Sequence, residues 1–125
     1  MKKLFLSFLL VAGLSGCAMI PSFWDDNENN VIVSIVDDID KIDCVKKDYL
    51  GAYRAKSRTE WLNTYATLKG SKDVGRMINP LDATIGGFTD KVRKEKEVSV
   101  AYCTLKKSIM QNDSRRIAKA MLGRF

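Results

Sequence analysis

"NVIVSIVDDIDKI", residues 30–42, decides the fold. Up to Val36 the stretch is β-branched and nearly alternating, as in a half-buried strand. Read as a helix, it places Ile32, Ile35, Ile39 and Ile42 at spacings of three and four, along one face. Leu50 and Tyr53 extend that stripe. A second stretch poses the same choice: "EVSVAYC", residues 97–103, opens a stripe of Val98, Ala101, Tyr102, Leu105 and Ile109. Both stripes persist for several turns, so the helical reading is preferred. The expected fold is mainly α, a small bundle of three to five helices, with α+β as the alternative.

Other helices follow from their start and stop signals. Ser57-Arg58-Thr59-Glu60 has the form of a capping box and predicts a helix carrying Trp61, Leu62, Tyr65 and Leu68, stopped by Gly70. A short turn holds Val74 and Met77. Asn79-Pro80 predicts a fresh start, Asn as N-cap and Pro at the first helical position. Leu81, Ile85, Phe88 and Val92 then follow across Gly86-Gly87, a pair that weakens the helix by roughly 1 kcal/mol per glycine. Asp113 or Ser114 would cap a last helix with Ile117, Ala120 and Met121.

The 125 residues hold one small domain's worth of chain, with 21 Lys and Arg against 15 Asp and Glu, and three cysteines. The first sixteen residues read as a targeting segment. Lys2 and Lys3 form a positive start, and Leu4 to Leu14 is an apolar run too short to span a bilayer, which takes about 20 residues. Leu14-Ser15-Gly16-Cys17 then matches a leucine, two small residues and a cysteine. In this the segment resembles the signal of bacterial lipoproteins. The resemblance implies cleavage before Cys17, a diacylglyceryl group on its sulfur and an acyl group such as palmitate on its amine. It also implies a cell-envelope location, periplasm-facing, and Ala18 after the cysteine points to the outer membrane.

The domain plan is therefore 1–16 signal peptide, 17–30 lipidated Cys17 and polar tether, and 31–125 a single helical domain. Phe23 and Trp24 are candidates for the membrane interface, where amphipathic rings favour the headgroup region; capping the core is the alternative. Asp25 to Asn30 reads as a turn-rich tether. The charge beyond the cysteine is bipolar: residues 18–48 carry eight acids and three bases, residues 49–125 sixteen bases and seven acids. Such a chain pairs its own ends or packs head to tail with a copy.

With Cys17 spent on lipid, Cys44 and Cys103 remain, and an oxidising periplasm lets them pair. At roughly 100° per residue, neither lies on the main apolar face of its expected helix. Three accounts stand: a break near Asp43 that resets the phase, helices that bury two faces, or cysteines that face a second chain. An internal bond is the preferred reading.

Signals of enzyme chemistry are poor. The chain has no histidine, hence no Ser-His or Cys-His pair, and it lacks CxxC spacing for zinc. No P-loop or GxGxxG is present. Asp25-x-Asn27-x-Asn29 resembles the start of a calcium loop, but Asn30 stands where that loop needs Gly and Val36 where it needs Glu. No metal and no cofactor is expected beyond the lipid on Cys17. Glu60 beside Trp61 could serve as a glycan-cleaving acid, although the capping role explains it without a substrate.

The basic C-terminal stretch "SRRIAKAMLGRF", residues 114–125, is amphipathic. Arg115, Arg116, Lys119 and Arg124 are its candidates for a partner or membrane surface. Export argues against nucleic acid. The expected function is a non-enzymatic, outer-membrane-anchored binding module for an envelope protein or peptidoglycan, with a homodimer as a further option. In outline it resembles the secretin pilotins, compact helical lipoproteins that escort a partner. The alternative is a phage outer-membrane spanin subunit; a wall hydrolase is the third class.

Overall fold

A computed structural model describes residues 24–123, and within them the chain folds as four helices with no strand. They are α1 (Asp26–Asp40), α2 (Leu50–Lys69), α3 (Lys72–Glu95) and α4 (Val100–Leu122). Each helix packs against the next, and α4 closes back onto α1, so the four form a ring. Cross-helix contacts run in opposite senses. Asn27 meets Tyr65 while Ser34 meets Arg58. Lys56 meets Asp82, and Asp40 meets Arg115 while Ile42 meets Lys107. The molecule is an up-down-up-down bundle.

The deciding stretch is helical. Asp25 caps α1, its carboxylate accepting the Glu28 N–H at 3.1 Å. Ile32, Ile35 and Ile39 are fully buried along one face, with Glu28 and Asn29 buried one turn earlier. The tether expected over Asp25–Asn30 is thus, from Asp26 onward, the opening of α1. The polar letters misled because Asp25 and Asp26 serve the helix start, where acidic groups complement the exposed N–H groups.

α1 ends at Asp40 and does not run on to Leu50 and Tyr53 as expected. Asp43 and Asp48 exchange both backbone hydrogen bonds at 3.0 Å. The Asp43 carboxylate accepts the N–H groups of Val45 and Lys46, and Lys47 takes a left-handed φ of 56°. This is a turn stabilised by an Asp side chain. Of the three accounts of the cysteines, the break near Asp43 is the one realised. It turns Ile42, Cys44 and Tyr49 all into the core.

Three further helix boundaries differ from expectation. Ser57 does not cap α2, which starts at Leu50, where the Asp48 carboxylate accepts the Leu50 N–H at 3.1 Å. The early start is permitted by Gly51, since a Cβ there would run into the Asp38 carbonyl oxygen of α1. Pro80 does not begin a helix but lies inside α3. An interior proline costs about 3 kcal/mol, but Val74, Ile78, Leu81, Ile85, Phe88 and Val92 are buried on both sides of it. That unbroken stripe holds the helix through the proline. Likewise Asp113 and Ser114 cap nothing; α4 runs from its Ser99 cap to Leu122.

Gly70 ends α2 as expected, left-handed at φ 85°, with its N–H and that of Ser71 both donating to Ala66 O. The core face of α4 is Cys103, Met110, Ser114, Ile117 and Met121. Of the expected stripe, Val98 is buried and Tyr102 packs against the core, but Leu105 is 60% exposed, and Ala101 and Ile109 also face solvent. Phe88 is the central ring, edge-on to Tyr49 at 5.9 Å and stacked with Tyr102 at 6.1 Å. Part of the charge asymmetry is met within the chain. Acids of α1 and its cap pair with bases of the two neighbouring helices, Asp25 with Lys69, Asp38 with Arg58, and Asp40 with Arg115.

Candidate partner-binding groove

Cys17, Phe23 and Arg124 lie outside the described residues. Trp24 is exposed, its indole N–H donating to Asp26 at 2.6 Å, so it does not cap the core. Cys44 and Cys103 form one internal disulfide, Cα–Cα 5.6 Å. The basic stretch divides. Arg115 is drawn inward to Asp40 at 2.7 Å, where Gln111 also donates at 3.0 Å. Arg116 bonds Asp113 one turn back on its own helix at 2.8 Å. Lys119 is exposed.

Arg116 borders a groove of about 310 Å³ between α3 and α4. Met77, Pro80, Leu81, Ile117 and Ala120 give it an apolar lining, with Arg76 from α3 and the bonded pair Arg116 and Asp113 from α4 as its charged groups. Three sequence features make it. Pro80 and Ala120 are short, so the two helices leave space between them. Met77 supplies an adaptable apolar surface. The 3.6-residue period places Arg76 and Arg116 just outside the buried stripe of each helix.

Of the groove residues, sequence reading singled out Arg116, and it placed Ile117 and Ala120 on the apolar side of the same stretch. Arg76 and Pro80 were not seen as surface features, because the helix was expected to begin at Asn79. The readable signal was the position of Cys103: a bonded cysteine is usually buried, and taking it as the core face turns Leu105 and Ile109 outward.

Two other hollows are more polar. One lies between α2 and α3 beside Asn63, Gly70, Ser71 and Asn79; the other lies by the disulfide, lined by Asp40, Asp43, Thr104 and Lys107. Glu60 borders none of the three. It is exposed and shares the Lys56 ammonium (3.4 Å) with Asp82 (2.9 Å). Burial of Lys56 would lower its pKa, but the bonds to Asp82 and Glu60 outweigh this and raise it. These groups form a charge cluster bracing α2 to α3, and Trp61 stacks on Tyr65 at 4.9 Å.

The calcium-like letters are otherwise occupied. Asp25 caps α1 and holds the Lys69 ammonium, Asn27 donates to the Tyr65 hydroxyl, and Asn29 is buried. Among the described residues no three His, Cys, Asp or Glu side chains converge on one point, and no helix is long and apolar enough to cross a membrane. No known protein family matches the chain, and no curated protein or solved structure does either.

Proposed function

We propose that this chain is a lipid-anchored, non-enzymatic binding module of the cell envelope that holds a partner in the groove between α3 and α4. The observation that carries the reading is the groove itself: an apolar lining of Met77, Pro80 and Ile117, bordered by Arg76 and by the Arg116–Asp113 pair. An amphipathic segment with apolar residues at helical spacing and an acid set against Arg76 matches such a site. Lipidation at Cys17 would hold the module at the outer membrane. The compact, internally bonded bundle favours an adaptor in outline like the pilotins over an extended rod of the spanin kind.

The test combines mass and contact. Intact mass of the membrane-extracted chain should show residues 17–125 plus a diacylglyceryl and an acyl group. A photo-crosslinking residue at Ala120 should capture one defined envelope component in living cells, and Arg76→Glu with Arg116→Glu should abolish that capture. An unlipidated soluble product, or capture that ignores both charge reversals, would refute the proposal. A clear zone in a peptidoglycan zymogram would replace it with the hydrolase reading.

A further inference from the structure

The outer face of α2 carries side chains that the bundle does not need. Trp61 is 46% exposed and Leu68 84% exposed. They stand seven residues apart, two turns along one helix face. Tyr65 lies between them, its ring stacked on Trp61. The Tyr65 hydroxyl donates to the Asp25 carboxylate at 3.1 Å, and the residue before Asp25 is Trp24, 47% exposed. Exposed aromatic and apolar groups therefore collect around the point where the chain enters α1. The charges beside them have both signs: Lys69 is already neutralised by Asp25, and Asp26 accepts the Trp24 indole N–H.

We infer that this patch, Trp24, Trp61 and Leu68, rests in the headgroup region of the membrane that holds the lipid, seating the bundle in one orientation. The inference depends on lipidation at Cys17, part of the function proposed above. What selects a lipid surface as the occupant is where the remaining chain attaches. Cys17 precedes Trp24 by seven residues, at most about 25 Å of extended chain. A bundle on so short a leash spends its time against the bilayer, and the face beside the attachment point meets it. Indole rings with an apolar body and an N–H donor favour that depth. The mixed flanking charge makes the contact apolar, so it is insensitive to salt. This seat lies on α2, and the groove lies between α3 and α4 on the other side of the bundle, open to a partner.

Trp24 and Trp61 are the chain's two tryptophans, so tryptophan emission, excited beyond the tyrosine band, reports this patch alone. The experiment reconstitutes the full lipidated chain in phosphatidylcholine–phosphatidylglycerol vesicles as two variants, Trp24→Phe and Trp61→Phe. Quenching by brominated phosphatidylcholine and by aqueous iodide is then compared. With Trp24→Phe, emission from Trp61 should fall strongly with bromolipid and little with iodide, unchanged by added salt. Adding Leu68→Lys, at a fully surface-borne position, should reverse that preference. Trp61 open to iodide while Trp24 still feels bromolipid would overturn the seat and leave the anchor standing. Trp61 shielded from both quenchers would mean a second copy covers the patch, which also overturns it. Protein that fails to float with vesicles would overturn seat and anchor together.

Discussion

Cys44 and Cys103 tie the turn that follows α1 to the first turn of α4, the two helices that close the ring. The bond spans 59 residues of sequence. In the chain-entropy account a loop of that length stabilises by about 4 kcal/mol. The double variant Cys44→Ser/Cys103→Ser should therefore keep its helical circular dichroism but melt on the order of 15–30 °C lower. An unchanged melting temperature would show that the α1–α4 seam holds itself.

Arg58 reaches from α2 to the carboxylate of Asp38, which is buried on α1. Removing the arginine strands a buried charge. Arg58→Met should cost about 2 kcal/mol in urea unfolding, less than a fully buried pair because the guanidinium is partly solvated. Asp38→Leu combined with Arg58→Met should recover most of that loss. A double variant as weak as the single would exclude stranding as the cause.

Asp25 and Lys69 make stability depend on pH from both sides. Burial alone would raise Asp25, but hydrogen bonds from Lys69, the Glu28 N–H and Tyr65 outweigh it and hold the carboxyl below its ordinary value. The folded state therefore releases that proton more readily than the unfolded one. The stabilisation is complete above the unfolded value of about 4 and is lost as pH falls through the folded one. Lys69 is raised, chiefly by its bond to Asp25. Its contribution is complete below about 10.4 and is lost as pH rises through the folded value. Asp25→Asn keeps the helix cap and removes the charge. It should lower the urea midpoint at pH 7 and flatten both flanks of the stability–pH curve.

Two glycines should respond in opposite directions to alanine. At Gly51 the added methyl meets the Asp38 backbone, so α2 must move off α1, a cost of about 1–3 kcal/mol. At Gly87, inside α3 and exposed, nothing lies within 4 Å of a new Cβ. Gly87→Ala should stabilise by about 0.5–1 kcal/mol through helix propensity. Paired chemical denaturation curves decide it, and equal shifts would contradict the packing described.

Much of this architecture was legible from residues 30–42, because isoleucines at spacings of three and four have one helical face to occupy. Helix ends were harder. Ser57 and Asn79-Pro80 carry the local chemistry of starts, yet both lie inside helices, since buried stripes running through them outweigh a cap or a proline. The phase of α4 was missed for a related reason. Leu105 and Ile109 look like core letters, and only the disulfide reveals that Cys103 points inward. Arg116 was readable as a surface cation; its counterpart Arg76 was not, because a groove belongs to two helices and no single stretch contains it. The aromatic patch is harder to read for a similar reason: Trp61 and Leu68 belong to one helix and Trp24 to the approach to another, so no single stretch contains it.

The ring closure between α1 and α4 has a consequence for height. Because those helices are antiparallel neighbours, the described chain enters and leaves at the same end of the bundle. The disulfide-bonded turn, with Val45 77% exposed at its tip, stands at the opposite end. With α4 at 23 residues and 1.5 Å per residue, the two ends are separated by about 35 Å. A dye at Val45 and a second at Leu122 would thus sit at opposite ends of the bundle, and the distance between them would read its full length.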